Sequence, residues 1–141
     1  MQPALFDSSL YIAAMRRGDD AVLELRSFSD APLWLSAVVV EELYAGASGP
    51  ARRQVERLEY NFAGSKRILV PNLNDWTQTG RVLARIAAKY HYEKIGRGRL
   101  TNDALIAMSA ARSGIRVITA NERDFGKLAE FRVFQWEVAA L

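Results

Sequence analysis

The sequence predicts an α/β fold, a mostly parallel sheet flanked by helices, and three observations carry that reading. Short apolar runs of strand length, Ala4-Leu5-Phe6, Leu33-Trp34-Leu35, Ile68-Leu69-Val70 and Ile115 to Ile118, alternate with longer stretches of helical spacing. Each run is punctuated by residues that stop or cap an element: Asp7-Ser8-Ser9, Ser36, Pro71 and Ser113-Gly114. The chain has 141 residues with no repeat, low-complexity tract or linker, so residues 1–141 are expected to form one domain with a real core.

Taken in order, Ala4 to Phe6 reads as the first strand, with Asp7 at its carboxyl end. A helix through Leu10 to Met15 follows and stops at Arg16-Arg17-Gly18. A second helix is expected from about Asp20 to Phe28, with Val22, Leu23 and Leu25 as its apolar stripe. Leu33 to Leu35 is the second strand, and Ser36 caps a helix through Ala37-Val38-Val39-Val40-Glu41-Glu42-Leu43-Tyr44-Ala45-Gly46. The valines alone favour a strand, and the Glu-Glu-Leu-Tyr-Ala-Gly ending tips the segment to helix. Arg52 to Phe62 places Val55, Leu58 and Phe62 on one face. After the strand Ile68 to Val70, Asn74 is expected to cap a long helix through Tyr90, with Trp76 in the core. His91 to Arg99 reads as a mobile basic loop around Gly96 and Gly98.

Thr101 or Asn102 then caps a helix carrying Asp103 in its first turn and Leu105, Ile106, Met108 and Ala110 along its apolar side. Ser113-Gly114 ends it, and Ile115, Val117 and Ile118 form a buried strand. Asn121 and Asp124 leave that strand on its carboxyl side in a polar loop, and Phe131 to Trp136 alternates as a last strand. In a parallel sheet the crevice beyond the carboxyl ends of the strands is where ligands bind.

Hydrophobic residues make up 50% and charged residues 25% of the chain, the balance of a water-soluble protein. No apolar run reaches the roughly 20 residues of a membrane helix, and the start MQPALFDSS lacks signal-peptide character. With no cysteine, disulfides and thiolate ligands are excluded, and a reducing cytoplasm is expected. The net charge of +3 is compatible with a nucleic-acid partner without requiring one.

The chemistry-bearing residues are acids from separate places near one sheet edge. Asp7 lies at a strand end, Glu42 on a helix just past a strand, Asp103 in a first helical turn and Asp124 after a strand. Together they would repel one another without a counter-charge, and a divalent cation would resolve it. Oxygen-only ligands select hard ions such as Mg²⁺ or Mn²⁺. His91 is the lone histidine, which strains a Ser-His-Asp triad, and no cysteine nucleophile exists, so metal-assisted hydrolysis is the chemistry left. Each acid also has a structural reading: Asp103 as a charge favourable to a helix dipole, Asp7 as a helix cap, Glu42 as a solvated helix residue, Asp124 and Asn121 as Asx-turn residues. Their joint occurrence in order favours the site.

Asp7-Ser8-Ser9 after the first strand, the E-L-x-x-G pattern of Glu42 to Gly46, Asp103-Ala104-Leu105-Ile106-Ala107 and Thr119 to Phe125 resemble the signatures of PIN-domain ribonucleases, above all the VapC-type toxins of toxin-antitoxin pairs. The resemblance spans nearly the whole chain. It implies a three-layer α/β/α sandwich, Mg²⁺ or Mn²⁺ at the acidic cluster, cleavage of RNA, inhibition by a small antitoxin, and a homodimer. Carried over, Asp7, Glu42, Asp103 and Asp124 become the metal-binding, catalytic acids. Ser9 corresponds to a hydroxyl steadying Asp7, and Thr119 and Asn121 to polar neighbours of Asp124. Glu42 is preferred to Glu41 because it directly precedes Leu43 and shares a helical face with Val38, Val39 and Gly46.

Lys94, Arg97 and Arg99 are the candidates for RNA phosphate contacts, because their segment immediately precedes the Asp103 helix. Arg52, Arg53 and Arg57 read as a solvated or partner-facing helix surface, and Tyr90 and Tyr92 as packing residues or base-stacking ones. Two rivals remain. An aspartyl-phosphate phosphatase would want a second Asp where Ser9 stands, and a receiver domain would want a Lys that Thr119 to Asp124 lacks. A stand-alone nuclease or a non-catalytic partner-binding module on the same fold is the other.

Overall fold

A computed structural model of the chain describes residues 2–27, 30–91 and 97–139, with residues 97–99 described in their backbone alone. Its elements are β1 (Ala4–Phe6), α1 (Ser8–Arg17), α2 (Asp19–Arg26), β2 (Leu33–Ser36), α3 (Ala37–Gly46), α4 (Pro50–Gly64), β3 (Ile68–Leu69), α5 (Leu73–Tyr90), α6 (Arg97–Ser113), β4 (Arg116–Thr119), α7 (Glu122–Ala129) and β5 (Trp136–Val138). The strands form one parallel sheet in the order β3-β2-β1-β4-β5, flanked by helices as an α/β/α fold. Leu5 pairs with Trp34 of β2 on one side and with Val117 of β4 on the other. The chain therefore builds outward from β1 in one direction through β2 and β3, then returns to its other side with β4 and β5. The reversal falls between β1 and β4, the topological switch point at which doubly wound sheets open a crevice.

Burial explains the central strands. Ala4, Leu5, Phe6, Val117 and Ile118 are fully shielded, as a strand covered on both faces requires. In α3 the strand propensity of three valines yields to tertiary packing. Val38, Val39 and Leu43 are buried, and the Ser36 hydroxyl accepts the Val38 N–H at 3.2 Å to cap the helix. Val55, Leu58 and Phe62 form the buried face of α4 as expected.

Several expectations are corrected. Ala21 is the buried residue of α2 and Leu25 packs half-buried against the core, while Leu23 is 60% exposed, so Leu23 does not belong to the packed face. Asn72 rather than Asn74 caps α5. Its side chain accepts the Asp75 N–H at 2.9 Å, and the Asp75 carboxylate accepts the Asn72 N–H at 2.9 Å, a reciprocal capping box. That register buries Asp75, Thr79, Val82, Leu83 and Ile86 and turns Trp76 outward, 54% exposed instead of in the core. Helix α6 begins at Arg97, so Thr101 and Asn102 lie inside it rather than capping it. The segment after β4 is the helix α7, not a loop, and the last strand is Trp136–Val138 rather than Phe131 to Trp136.

Candidate functional site

Asp7 leaves β1 at the switch point, where its N–H still donates to the Ile118 carbonyl of β4 at 3.1 Å. It stands at the cap position of α1, and the first-turn N–H groups of Ser9 and Leu10 act on its carboxylate without reaching the geometry of a full cap hydrogen bond. Its oxygens are held chiefly by hydroxyls, Ser9 Oγ donating to Oδ1 at 2.6 Å and Thr119 Oγ1 to Oδ2 at 2.7 Å. The carboxylate is 2% exposed. Burial pushes its pKa above the ordinary value, and the Ser9 and Thr119 bonds pull it partly back.

Thr119 passes the network on. Its Oγ1 accepts the Asn121 N–H at 2.8 Å, and Asn121 caps α7 by accepting the Asp124 N–H at 3.3 Å. The Asn121 amide then donates to Asp124 Oδ2 at 3.0 Å and reaches Asp103 Oδ2 at 3.5 Å. One asparagine thus sits between an acid from α6 and an acid from α7, both buried. Its bridging amide was not legible from the Asx-turn reading. Ser9 donates to Asp7, and Thr119 donates to Asp7 as well, reaching Asp124 through Asn121.

Glu42 approaches from α3. Its Oε1 is buried with no hydrogen-bond partner among the described residues, and Glu41 beside it is exposed, so the two glutamates face different ways. Burial raises the Glu42 pKa. Hydrogen bonds from Ser8 and Asn102 lower it, and the negative charges of Glu41 and Asp7 raise it further. Neither Ser8, read as part of the Asp7-Ser8-Ser9 motif, nor Asn102, read as a helix cap, was expected to serve Glu42. The coupling of Glu42 to Asp7 shows that α3 faces the β1 end. Among the described residues, however, no group of three or more acidic, histidine or cysteine side chains is gathered as an ion-holding cluster. The acids stand as neighbours joined by hydroxyl and amide donors, not as a closed cage.

The basic candidates fall partly outside this description. Lys94 and Tyr92 lie outside the described residues, as do the side chains of Arg97 and Arg99. Tyr90 packs: its hydroxyl donates to Glu130 Oε2 at 2.5 Å, and Lys89 and Lys127 each lie 5.0 Å from its ring centre. Arg52 pairs with Glu56 at 3.8 Å and Arg57 with Asp19 at 3.3 Å on an exposed surface. None of the described helices is long and apolar enough to cross a membrane.

The family model for the PIN domain matches residues 4–131. The chain superposes on the DNA-bound VapBC of Salmonella typhimurium with a TM-score of 0.70 at 21% identity, covering 98% of each chain. It superposes on VapBC2 of Rickettsia felis, bound to a promoter DNA fragment, with a TM-score of 0.68 at 19% identity, covering 98% of this chain and 99% of that one. VapBC-1 of nontypeable Haemophilus influenzae gives a TM-score of 0.65 at 21% identity, with 96% and 97% covered. No curated protein sequence matches the chain. Those structures share its fold, and the family match runs from β1 to the end of α7: the chain belongs to the PIN domain family.

Proposed function

We infer that the chain is a Mg²⁺- or Mn²⁺-dependent endoribonuclease acting as the toxin of a toxin-antitoxin pair, with residues 1–141 forming one nuclease domain. The observation that carries it is the set of acids at the β1/β4 switch point, where Asp7 and Glu42 are both withdrawn from water, the Asp7 charge disfavours that of Glu42, and Asn121 holds Asp103 beside Asp124. The donor set suits a hard ion. It is all oxygen, and Glu42 Oε1 is buried with no hydrogen-bond partner among the described residues, a state that costs about 1–3 kcal/mol or more for a buried acceptor. Asp7, Glu42, Asp103 and Asp124 would hold the ion. When bound, it supplies an activated water as nucleophile and neutralises charge on the phosphate oxygens.

The remaining roles belong to the protein. Ser9 and Thr119 fix the Asp7 carboxylate in one orientation, and Asn121 sets the spacing of Asp103 and Asp124. Lys94, Arg97 and Arg99, just before the Asp103 helix, would take RNA phosphates. The VapBC assemblies on which the fold superposes support a small antitoxin as partner, and a homodimer working in the cytoplasm belongs to the same reading.

The test is cleavage of a mixed RNA pool by the purified chain with Mg²⁺, with Mn²⁺, and with a chelator. Cleavage that chelation stops and either ion restores is expected. A chain that binds RNA or a protein partner yet cuts nothing with either ion would be a non-catalytic binding module instead.

A further inference from the structure

Arg123 lies within the segment Thr119 to Phe125 and holds none of the roles assigned so far. It occupies the first turn of α7, exposed, between Glu122 and the buried Asp124. Two features of that position work against the helix. The first turn carries the positive end of the helix dipole, which disfavours a cation. Four residues on, Lys127 puts a second positive charge on the same face, and like charges at that spacing repel. Among the described residues nothing offsets either cost. Arg123 forms no ion pair with another described residue, and Lys127 is engaged elsewhere, 5.0 Å from the Tyr90 ring centre. Arg112 shows what this chain does with an arginine meant for a buried acid: its Nε closes to 3.0 Å on both oxygens of Asp75.

The placement gives that charge a use. Asn121 caps α7, and its amide reaches both Asp124 and Asp103, so the helix begins at the crevice. Consecutive helical residues point about 100° apart, so Asp124 turns inward while Arg123 faces solvent beside it. Long helical side chains lean toward the N-terminus of their helix and cover the turn before their own Cα. Arg123 therefore stands over the turn that opens on the acids, its Cα about 3.8 Å from that of Asp124. No other lysine or arginine stands as close in the chain to one of the four acids.

We propose that Arg123 binds a phosphate of a single-stranded RNA, the one adjoining the phosphate that is cut. The proposal rests on the reading of the acids as an RNA-cleaving site. A guanidinium is planar and forked, and it meets two oxygens of one phosphate through paired charge-assisted hydrogen bonds. The two unfavourable charge contacts of the free helix are then answered by an anion that arrives with the substrate.

The experiment follows steady-state cleavage of a short single-stranded RNA by the full chain over a range of salt. RNA binding is read by fluorescence anisotropy in the Asp103→Asn background, and Tm is read without RNA. Arg123→Ala should raise KM about tenfold with kcat little changed, and should reduce the slope of log affinity against log salt by about 0.7, the share of one phosphate on a single strand. Its Tm should equal or exceed that of wild type, because two unfavourable charge contacts are gone, and Mg²⁺ should raise it as in wild type. Arg123→Glu suits both the first turn and Lys127, so it should be the most stable variant and bind RNA worst. Arg123→Lys should keep most of the affinity. Cleavage by Arg123→Ala with the wild-type KM and salt slope would overturn the contact and leave the nuclease reading standing. A lower Tm and a lost response to Mg²⁺ in Arg123→Ala would make Arg123 a structural counter-ion of the acids and overturn the contact equally. A chain that cuts nothing yet binds RNA through Arg123 would sink the nuclease reading and leave the contact standing, and a chain that binds no RNA would end both.

Discussion

Asp75 and the Asp7–Glu42 pair are all carboxylates withdrawn from water, and the chain treats them in opposite ways. Asp75 is 1% exposed and fully answered. Arg112 Nε lies 3.0 Å from each of its oxygens, Arg112 Nη2 2.9 Å from Oδ2, and the Asn72 N–H donates to it at 2.9 Å. The same guanidinium reaches the Val70 carbonyl at 3.3 Å, so one arginine ties the starts of α5 and the end of β3 to the end of α6. Asp7 is as well buried, yet its partners are neutral donors, the hydroxyls of Ser9 and Thr119 and nearby backbone N–H groups, and Glu42 keeps an oxygen with no partner among the described residues. Helix α6 carries a member of each arrangement, Asp103 and, nine residues or about 14 Å further along its axis, Arg112. A buried acid that builds structure is given its cation within the chain, whereas Asp7 and Glu42 are left with neutral donors, the difference on which the proposed metal site rests.

The largest expected effect breaks one half of that comparison. Asp103→Asn should cut RNA cleavage by a factor on the order of 10²–10³ or more while circular dichroism and Tm stay close to wild type, because a neutral amide keeps the volume and loses the charge. Undiminished activity would remove Asp103 from the site.

Arg112→Ala attacks the other half and should do the reverse. Leaving Asp75 buried without its cation should cost about 2–3 kcal/mol, the low side for a broken buried pair because the Arg112 end is 36% exposed. Specific activity of the folded fraction should not change. Removing both partners, as Asp75→Ala with Arg112→Ala, should recover part of the loss, which chemical denaturation would detect.

Smaller is the gain from metal. At ten times its dissociation constant an ion that binds only the folded chain stabilises it by about 1.4 kcal/mol. Mg²⁺ or Mn²⁺ should therefore raise the Tm of wild type and of Arg112→Ala alike, and raise that of Asp103→Asn much less. Equal shifts in all would separate the acids from the ion.

The smallest effect is one of pH. Folding raises the Asp7 and Glu42 pKa values, Glu42 from an ordinary 4.5, so the folded chain holds protons that the unfolded chain has released. Stability of the metal-free chain therefore falls as pH climbs from that ordinary value through the folded one, and lowering the pH back through that window restores it. Glu42→Gln removes part of this slope. Without divalent ions it should be more stable than wild type at pH 7, with a narrower gap near pH 4.

How much of this was legible in the sequence can be followed residue by residue. Asp7 was readable because it directly ends an apolar run, and Glu42 rather than Glu41 because helical spacing puts it on the face of Val38 and Val39. The start of α6 was not, since Gly96 and Gly98 speak for a loop, yet the helix is already formed at Arg97. Asn72 and Asn74 are equal caps on paper. The Asp75 carboxylate reaching back to the Asn72 N–H decides between them, and that choice turns Trp76 to solvent. Helix α7 was hidden by its eight-residue length and Gly126, and Asn121 defines its start.

The sequence by itself determined the local facts: alternating strands and helices, oxygen-only acids, and motifs in the order of the PIN domain. These depend on neighbours a few residues apart. Tertiary structure alone decided which side chains meet. Thr119 serves Asp7 across a separation of 112 residues because β4 lies parallel beside β1 in the register Phe6 to Ile118, which carries both strand ends to one crevice. A hydrogen bond of 2.7 Å is directional and short-ranged, so no spacing in the chain could announce it before that register existed.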